Sequence, residues 1–258
     1  MAEQPAFDPE HLVADLKAAL MFFTRLPVPG GVAMAEGAFA RAMWAAPLAG
    51  VVVGAIGAFA YWIAFKLHLP PWPAAVLALA ATVAASGALH EDGLADVADG
   101  FGGGKTVERK LEIMRDSRIG TYGVCALILS FMLRAGALAA IADPRLVAFA
   151  LVAAHAASRA TLPAFMTAVP PARTDGLSAR AGAPPKESVG VAAAVGVILL
   201  ALMLGIGAGM MALVAVLLAF IVLWWLCERQ INGQTGDVLG ALQQAAEILI
   251  LLVAATRT

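Results

Sequence analysis

Charge is what this chain has least of. Asp, Glu, Lys and Arg make up 14% of its 258 residues against 61% hydrophobic residues, and the mean hydropathy is +0.85. Soluble domains carry about 25% charged residues, so this composition excludes an ordinary soluble fold and implies a polytopic membrane protein. The formal net charge of −1 provides no basic balance for nucleic acid, which is excluded as a partner. Only two cysteines are present, Cys125 and Cys227, both in apolar runs without metal-ligand spacing. That rules out a disulfide framework or a zinc site. The acidic stretch 1–10 has no basic region ahead of an apolar run, so no cleavable signal peptide is expected. No internal repeat of the kind that builds solenoids or inverted-repeat transporters is visible.

What is present is a series of long apolar runs. Asp8-Pro9-Glu10 is a helix start, with Asp as N-cap and Pro at the first helical position. Leu12, Leu16, Leu20 and Phe23 then repeat at helical spacing while Asp15 and Lys17 point elsewhere, so residues 8–24 read as an amphipathic interfacial helix. A hydrocarbon core of roughly 30 Å takes about 20 helical residues. Runs at 43–65, 74–89, 119–142, 146–169 and 238–255 each suit one span, and the charge-free run 188–227 suits two that fold back near residues 205–209. The expected architecture is a single all-α membrane-embedded domain over 1–258, with about seven transmembrane helices. Lys17, Arg25, Arg41, Lys105, Arg109, Lys110, Arg115, Arg118, Arg173, Arg180, Lys186 and Arg229 fall on one side, against Lys66, Arg145 and Arg257 on the other. This asymmetry places the N-terminus and the 90–120 segment in the cytoplasm.

One polar interruption organises the rest: His90-Glu91-Asp92-Gly93-Leu94-Ala95-Asp96-Val97-Ala98-Asp99-Gly100, at the end of the second span and on a helix continuing from it. Asp92, Asp96 and Asp99 stand at i, i+4 and i+7, so on a helix they share one face. Carboxylates packed so closely repel unless a cation lies between them, and the usual cation for an all-oxygen cluster is Mg²⁺, with Mn²⁺ as the alternative. Asp116, in Arg115-Asp116-Ser117-Arg118, reads either as a surface ion-pair partner or as part of a phosphate site. The arginines there suit phosphoryl oxygens, because guanidinium forks match phosphate geometry. Asp237, Gln244 and Glu247 share a face of the last helix, and Glu247 lies deep enough in a span to face a polar interior. Arg159 reads either as a structural partner of such a glutamate or as an anion ligand. Arg134 reads as a residue snorkelling to the far interface, and His90 as a candidate general base beside the cluster. Residues 102–106, Gly-Gly-Gly-Lys-Thr, lack the spacing and preceding strand of a P-loop.

The block 90–100 and the block Leu111-Glu112-Ile113-Met114-Arg115-Asp116-Ser117-Arg118-Ile119-Gly120-Thr121-Tyr122-Gly123 resemble the signature of the cobalamin-5'-phosphate synthase, or adenosylcobinamide-GDP ribazoletransferase, family. So do Thr24-Arg25-Leu26-Pro27-Val28-Pro29, Pro47-Leu48-Ala49-Gly50, Ser158-Arg159, Arg173 with Gly176, and residues 233–241. The resemblance runs from about residue 20 to the C-terminus. It implies a Mg²⁺-dependent inner-membrane enzyme joining adenosylcobinamide-GDP to α-ribazole or its 5'-phosphate and releasing GMP. It also implies Asp92, Asp96, Asp99 and Asp116 around metal, with Arg115, Arg118, Arg159, Arg173, Asp237 and Glu247 toward substrate. Glu91 departs from the family pattern, where an apolar residue is expected. Implied partners are the bilayer, other late-pathway cobalamin enzymes and a second copy of the chain. Two rival readings are a lipid head-group transferase using CDP-activated donors, as Asp96-Val97-Ala98-Asp99-Gly100 echoes a D-x-x-D-G start, and a cation-coupled transporter.

Overall fold

The computed structural model describes residues 9–30 and 37–257, and every ordered element among them is helical apart from one isolated bridge between Pro171 and Gln234. The Asp8 cap expected at the N-terminus lies outside the described residues. Helix α1 (Pro9–Phe23) leads to a short α2 (Ala38–Ala42), a 3-10 turn (Met43–Ala45) and α3 (Ala46–Lys66). α4 (Pro71–Ser86), α5 (Leu89–Gly103) and α6 (Val107–Ile113) follow, then the long α7 (Thr121–Ile141) and α8 (Pro144–Ala168). A short α9 (Leu177–Ala181), α10 (Lys186–Ile231) and α11 (Gly236–Ala255) complete the chain.

Small residues set the central packing. Helix α8 begins where Asp143 accepts the backbone N–H groups of Arg145 and Leu146, with Pro144 at the first helical position. It is buried along most of its length, between α3, α10 and α11. α3 reaches it through Gly50 and Gly54, four residues apart. A Cβ on Gly50 would stand 2.2 Å from the carbonyl oxygen of His155, and one on Gly54 2.7 Å from that of Leu151. Such close backbone approach is how helices associate where lipid offers no hydrophobic drive between them. Outward faces carry exposed Ile, Leu, Trp and Met, as on α7 and α10.

Five helices are long and apolar enough to cross a membrane, and a sixth crossing arises if α4 and α5 count as one bent span. The seven spans expected from sequence differ from this number through α10. Its chain reverses at Gly205 (φ 75°, ψ 161°), and a Cβ at Gly209 would touch the backbone of Leu200. Gly196, Val197 and Leu200 on one arm face Leu213, Val216 and Leu217 on the other. The expected fold-back is present, and α10 is two helical arms joined at Gly205.

Three expectations are corrected. The acidic segment does not continue the preceding span: Gly87 (φ 67°) and Ala88 (φ 56°) are both left-handed, and α5 departs from α4 at 92°. Asp15 does not point away from the apolar face. It is buried, accepts from Arg41 Nη2 at 3.0 Å and from Trp44 Nε1 at 3.1 Å, and ties α1 to the α2 region. Arg134 does not snorkel; it is fully buried between two carboxylates.

Candidate active site

α5 crosses α11 at a glycine on each helix. A Cβ on Gly93 would lie 2.8 Å from the carbonyl oxygen of Asp237, and one on Gly240 3.2 Å from the Gly93 Cα. A Cβ does not fit at Gly93 without a backbone shift and would be tight at Gly240, and the crossing brings the acidic face of α5 against the first turn of α11. Asp96 has Asp92, Asp237 and Asp99 as repelling neighbours and Arg173 as an attracting one. Asp237 accepts from Thr235 Oγ1 at 3.1 Å and from Arg173 Nη2 at 3.5 Å, and Arg115 lies within electrostatic reach. The second terminal nitrogen of Arg173, Nη1, is buried without a partner in the protein.

The loops over this crossing belong to one end of the bundle. Arg115 pairs with Asp175, Lys110 donates to Gln230, and the backbone of Gln234 bridges Pro170 and Ala172. Contacts of Tyr61 with Ala142 and of Arg257 with Leu204 tie together the loops joining the opposite helix ends.

The four aspartates expected to share one metal have different tasks. Asp99 accepts the backbone N–H of Gly120 at 2.7 Å through Oδ2 and that of Gly123 at 2.9 Å through Oδ1, so it caps α7 with both oxygens. Asp116 is bound by Arg118, whose Nε and Nη2 reach its two oxygens at 3.0 and 2.7 Å. These bonds hold its carboxyl at about 2, well below the ordinary aspartate value. Its electrostatic partners are Arg118 and Arg109, not the α5 stripe. Arg118 is thereby engaged in an exposed pair. Asp92 and Asp96 remain, joined by Asp237.

Among the described residues no three His, Cys, Asp or Glu side chains converge tightly enough to hold a metal ion unaided. Mg²⁺ is ordinarily held by one or two carboxylates, with substrate phosphates and water completing its shell. Asp92, Asp96 and Asp237 fit that pattern: hard oxygen donors, crowded, with a cationic neighbour already drawn in.

Behind the stripe lies a buried polar network that sequence reading did not assemble. Arg134 Nη1 donates to Glu91 at 3.0 Å and to Glu247 at 2.9 Å. Glu247 also accepts from Gln243 at 2.7 Å and faces His155 Nδ1 at 3.2 Å, while Gln244 reaches Glu91. Arg159 donates to the carbonyl of His155 at 3.0 Å, and its Nη2 stands 3.5 Å from His90 Nδ1. The network joins α5, α7, α8 and α11 and includes Glu247 and Arg159, two residues expected at the substrate. The available signal was a single charge deep in each of three apolar runs, Arg134 in α7, Arg159 in α8 and Glu247 in α11. Glu91 thus has a structural partner of its own.

A cavity of about 230 Å³ opens beside Asp92 and Asp237. Its walls are Phe22, Phe23, Phe39, Met43, Leu162 and Met166, and His90 also contributes to the lining.

Fold and site together define a polytopic helical membrane protein built around a carboxylate-lined site with basic loops above it. The chain belongs to the cobalamin-5-phosphate synthase family, whose model matches residues 15–255. It is 62% identical over 245 residues to the adenosylcobinamide-GDP ribazoletransferase of Bradyrhizobium diazoefficiens, covering 95% of this chain and 94% of the relative. The enzymes of the same name from Mesorhizobium japonicum and Azorhizobium caulinodans are 54% and 47% identical, over 95% and 93% of this chain and 94% and 95% of theirs. No solved structure matches it.

Proposed function

We propose that this protein is the ribazoletransferase its relatives are named for. It joins the phosphocobinamide part of adenosylcobinamide-GDP to the ribose 3'-hydroxyl of α-ribazole or its 5'-phosphate and releases GMP. The observation that carries this reading is the meeting of Asp92 and Asp96 on α5 with Asp237 on α11 under Arg173 and Arg115, since paired carboxylates beside guanidinium groups suit a pyrophosphate donor.

Asp96 and Asp237 would hold Mg²⁺, which when bound neutralises phosphoryl charge. Arg173, beside Asp237, supplies positive charge to a phosphoryl oxygen of the donor, and Arg115 adds to it from the neighbouring loop. Asp92, exposed on the cavity wall, takes the proton of the attacking hydroxyl. Asp99 acts by fixing the start of α7, and Asp116 by shaping the loop that carries Arg115 and Arg118. The chain works as one catalytic unit in the inner membrane with the site toward the cytoplasm, a reading supported by the basic residues gathered in the loops at that end of the bundle.

The test is GMP release by purified protein in vesicles supplied with adenosylcobinamide-GDP, α-ribazole and Mg²⁺. CMP release from a CDP-activated lipid, or cation flux without nucleotide release, would overturn the assignment. Asp96→Asn should raise the Mg²⁺ concentration needed for turnover, and Asp92→Asn should lower turnover without that rise. The opposite pattern exchanges the two roles.

A further inference from the structure

Of the three carboxylates at the crossing of α5 and α11, one is held by the protein. Thr235, buried at the end of the loop before α11, accepts the backbone N–H of Val238 at 3.3 Å and so caps the helix. The same hydroxyl donates its proton to Asp237 Oδ2 at 3.1 Å. Arg173 Nη2 approaches that oxygen at 3.5 Å, so Oδ2 is occupied from two sides while Oδ1 accepts no hydrogen bond among the described residues. Among the same residues no hydrogen bond reaches the carboxylates of Asp92 or Asp96. The loop that carries Thr235 is itself pinned. Gln234 donates its N–H to the Pro170 carbonyl and accepts that of Ala172, both at 2.8 Å, which pairs residues 171 and 234 in a parallel bridge. Gly233 (φ 152°) has no room for a side chain there: a Cβ would stand 2.4 Å from the Pro170 oxygen. In this register Arg173 and Thr235 lie two residues and one residue beyond the paired positions, and they reach one carboxylate together.

Resting on the ribazoletransferase reading and its Mg²⁺, we propose that Thr235 is a positioning residue, whose hydroxyl fixes the Asp237 side chain with Oδ2 beside Arg173 and Oδ1 left for the cation. Groups behind a metal ligand orient it, and their loss ordinarily weakens metal affinity about 10–100-fold. The geometry selects a hydroxyl for this place. An ionised carboxylate would cap Val238 but has no proton to give Asp237, and an alkyl group does neither. Among the residues that start helices well, serine and threonine carry both functions on one atom. That atom is fixed in turn by the first turn of α11 and by the bridge at Gln234, so the restraint on Asp237 is rigid. Asp237 is then the anchored carboxylate of the site, and Asp92 and Asp96 are the two that adjust.

The experiment uses the full-length protein in nanodiscs, with Mn²⁺ binding followed by EPR in the absence of substrates and GMP release measured separately. Thr235→Val keeps the shape of the side chain and removes the hydroxyl. It should weaken Mn²⁺ binding about tenfold and raise the Mg²⁺ concentration for half-maximal GMP release by a similar factor, with KM for α-ribazole unchanged. Thr235→Gly, which starts a helix almost as well as threonine, should show the same loss, which separates the restraint on Asp237 from the cap. Thr235→Ser should restore both values. In an Asp237→Asn background Thr235→Val should have little further effect on Mn²⁺ binding, because it acts through that carboxylate. No Mn²⁺ bound by wild type, equal affinity in wild type and Thr235→Val, or an undiminished tenfold effect in the Asp237→Asn background overturns the proposal. Mn²⁺ binding that Thr235→Val weakens, in a protein that releases no GMP even as wild type, overturns the transferase and retains the role of Thr235. GMP release with Mn²⁺ affinity unmoved by the substitution overturns that role alone.

Discussion

Arg134→Met tests the buried network most directly. The guanidinium is fully buried on α7 and donates to Glu91 on α5 at 3.0 Å and Glu247 on α11 at 2.9 Å. Removing it leaves two carboxylates facing each other inside the bundle with no cation between them. Breaking a buried pair from one side costs about 3–5 kcal/mol. At about 2–4 °C per kcal/mol for a chain of this size, the midpoint of thermal unfolding should fall by about 6–20 °C. Methionine fills most of the volume, so the loss reports charge and not a cavity. Adding Glu91→Gln and Glu247→Gln to the same protein neutralises all three sites and should restore most of the stability, because a buried ion pair replaced as a whole is often neutral. Unfolding of protein in nanodiscs, followed by circular dichroism, gives both midpoints. If Arg134→Met unfolds within about 2 °C of wild type, the guanidinium is reaching water and the network does not hold the helices together.

Asp99→Ala should cost about 1–3 kcal/mol by orphaning the N–H groups of Gly120 and Gly123, seen as a lower unfolding midpoint; Asp96→Ala should leave the midpoint unchanged or raise it by relieving repulsion, and unequal effects in the reverse order would refute the division of roles. Gly93→Ala forces a Cβ to 2.8 Å from the Asp237 carbonyl and should cost about 1–3 kcal/mol together with most GMP release, since the crossing also assembles the site. Asp116 has its folded value lowered to about 2, so its pair with Arg118 contributes to stability above the ordinary aspartate value of about 3.9 and loses that contribution as pH falls through about 2. Carbon-13 NMR of the Asp116 carboxyl should give a midpoint near 2 that Arg118→Gln returns to the ordinary range; a midpoint already ordinary in the unaltered protein would refute the pairing.

Composition and period were enough to determine that the chain crosses a membrane as helices, that 188–227 doubles back, and that Asp92, Asp96 and Asp99 share a helical face. These are local properties, set by side-chain hydropathy and by 3.6 residues per turn. Tertiary structure alone decided what each carboxylate meets. Asp99 and Asp92 have the same spacing logic, yet one is consumed by the N-terminus of α7 and the other lines a cavity, because the left-handed pair Gly87-Ala88 turns α5 by 92° from α4. Arg134 read as a residue bound for the interface until Glu91 and Glu247, 43 and 113 positions away, were packed against it. Pairing between distant helices depends on where backbones can approach, here through Gly93 and Gly240, and no local periodicity encodes that distance.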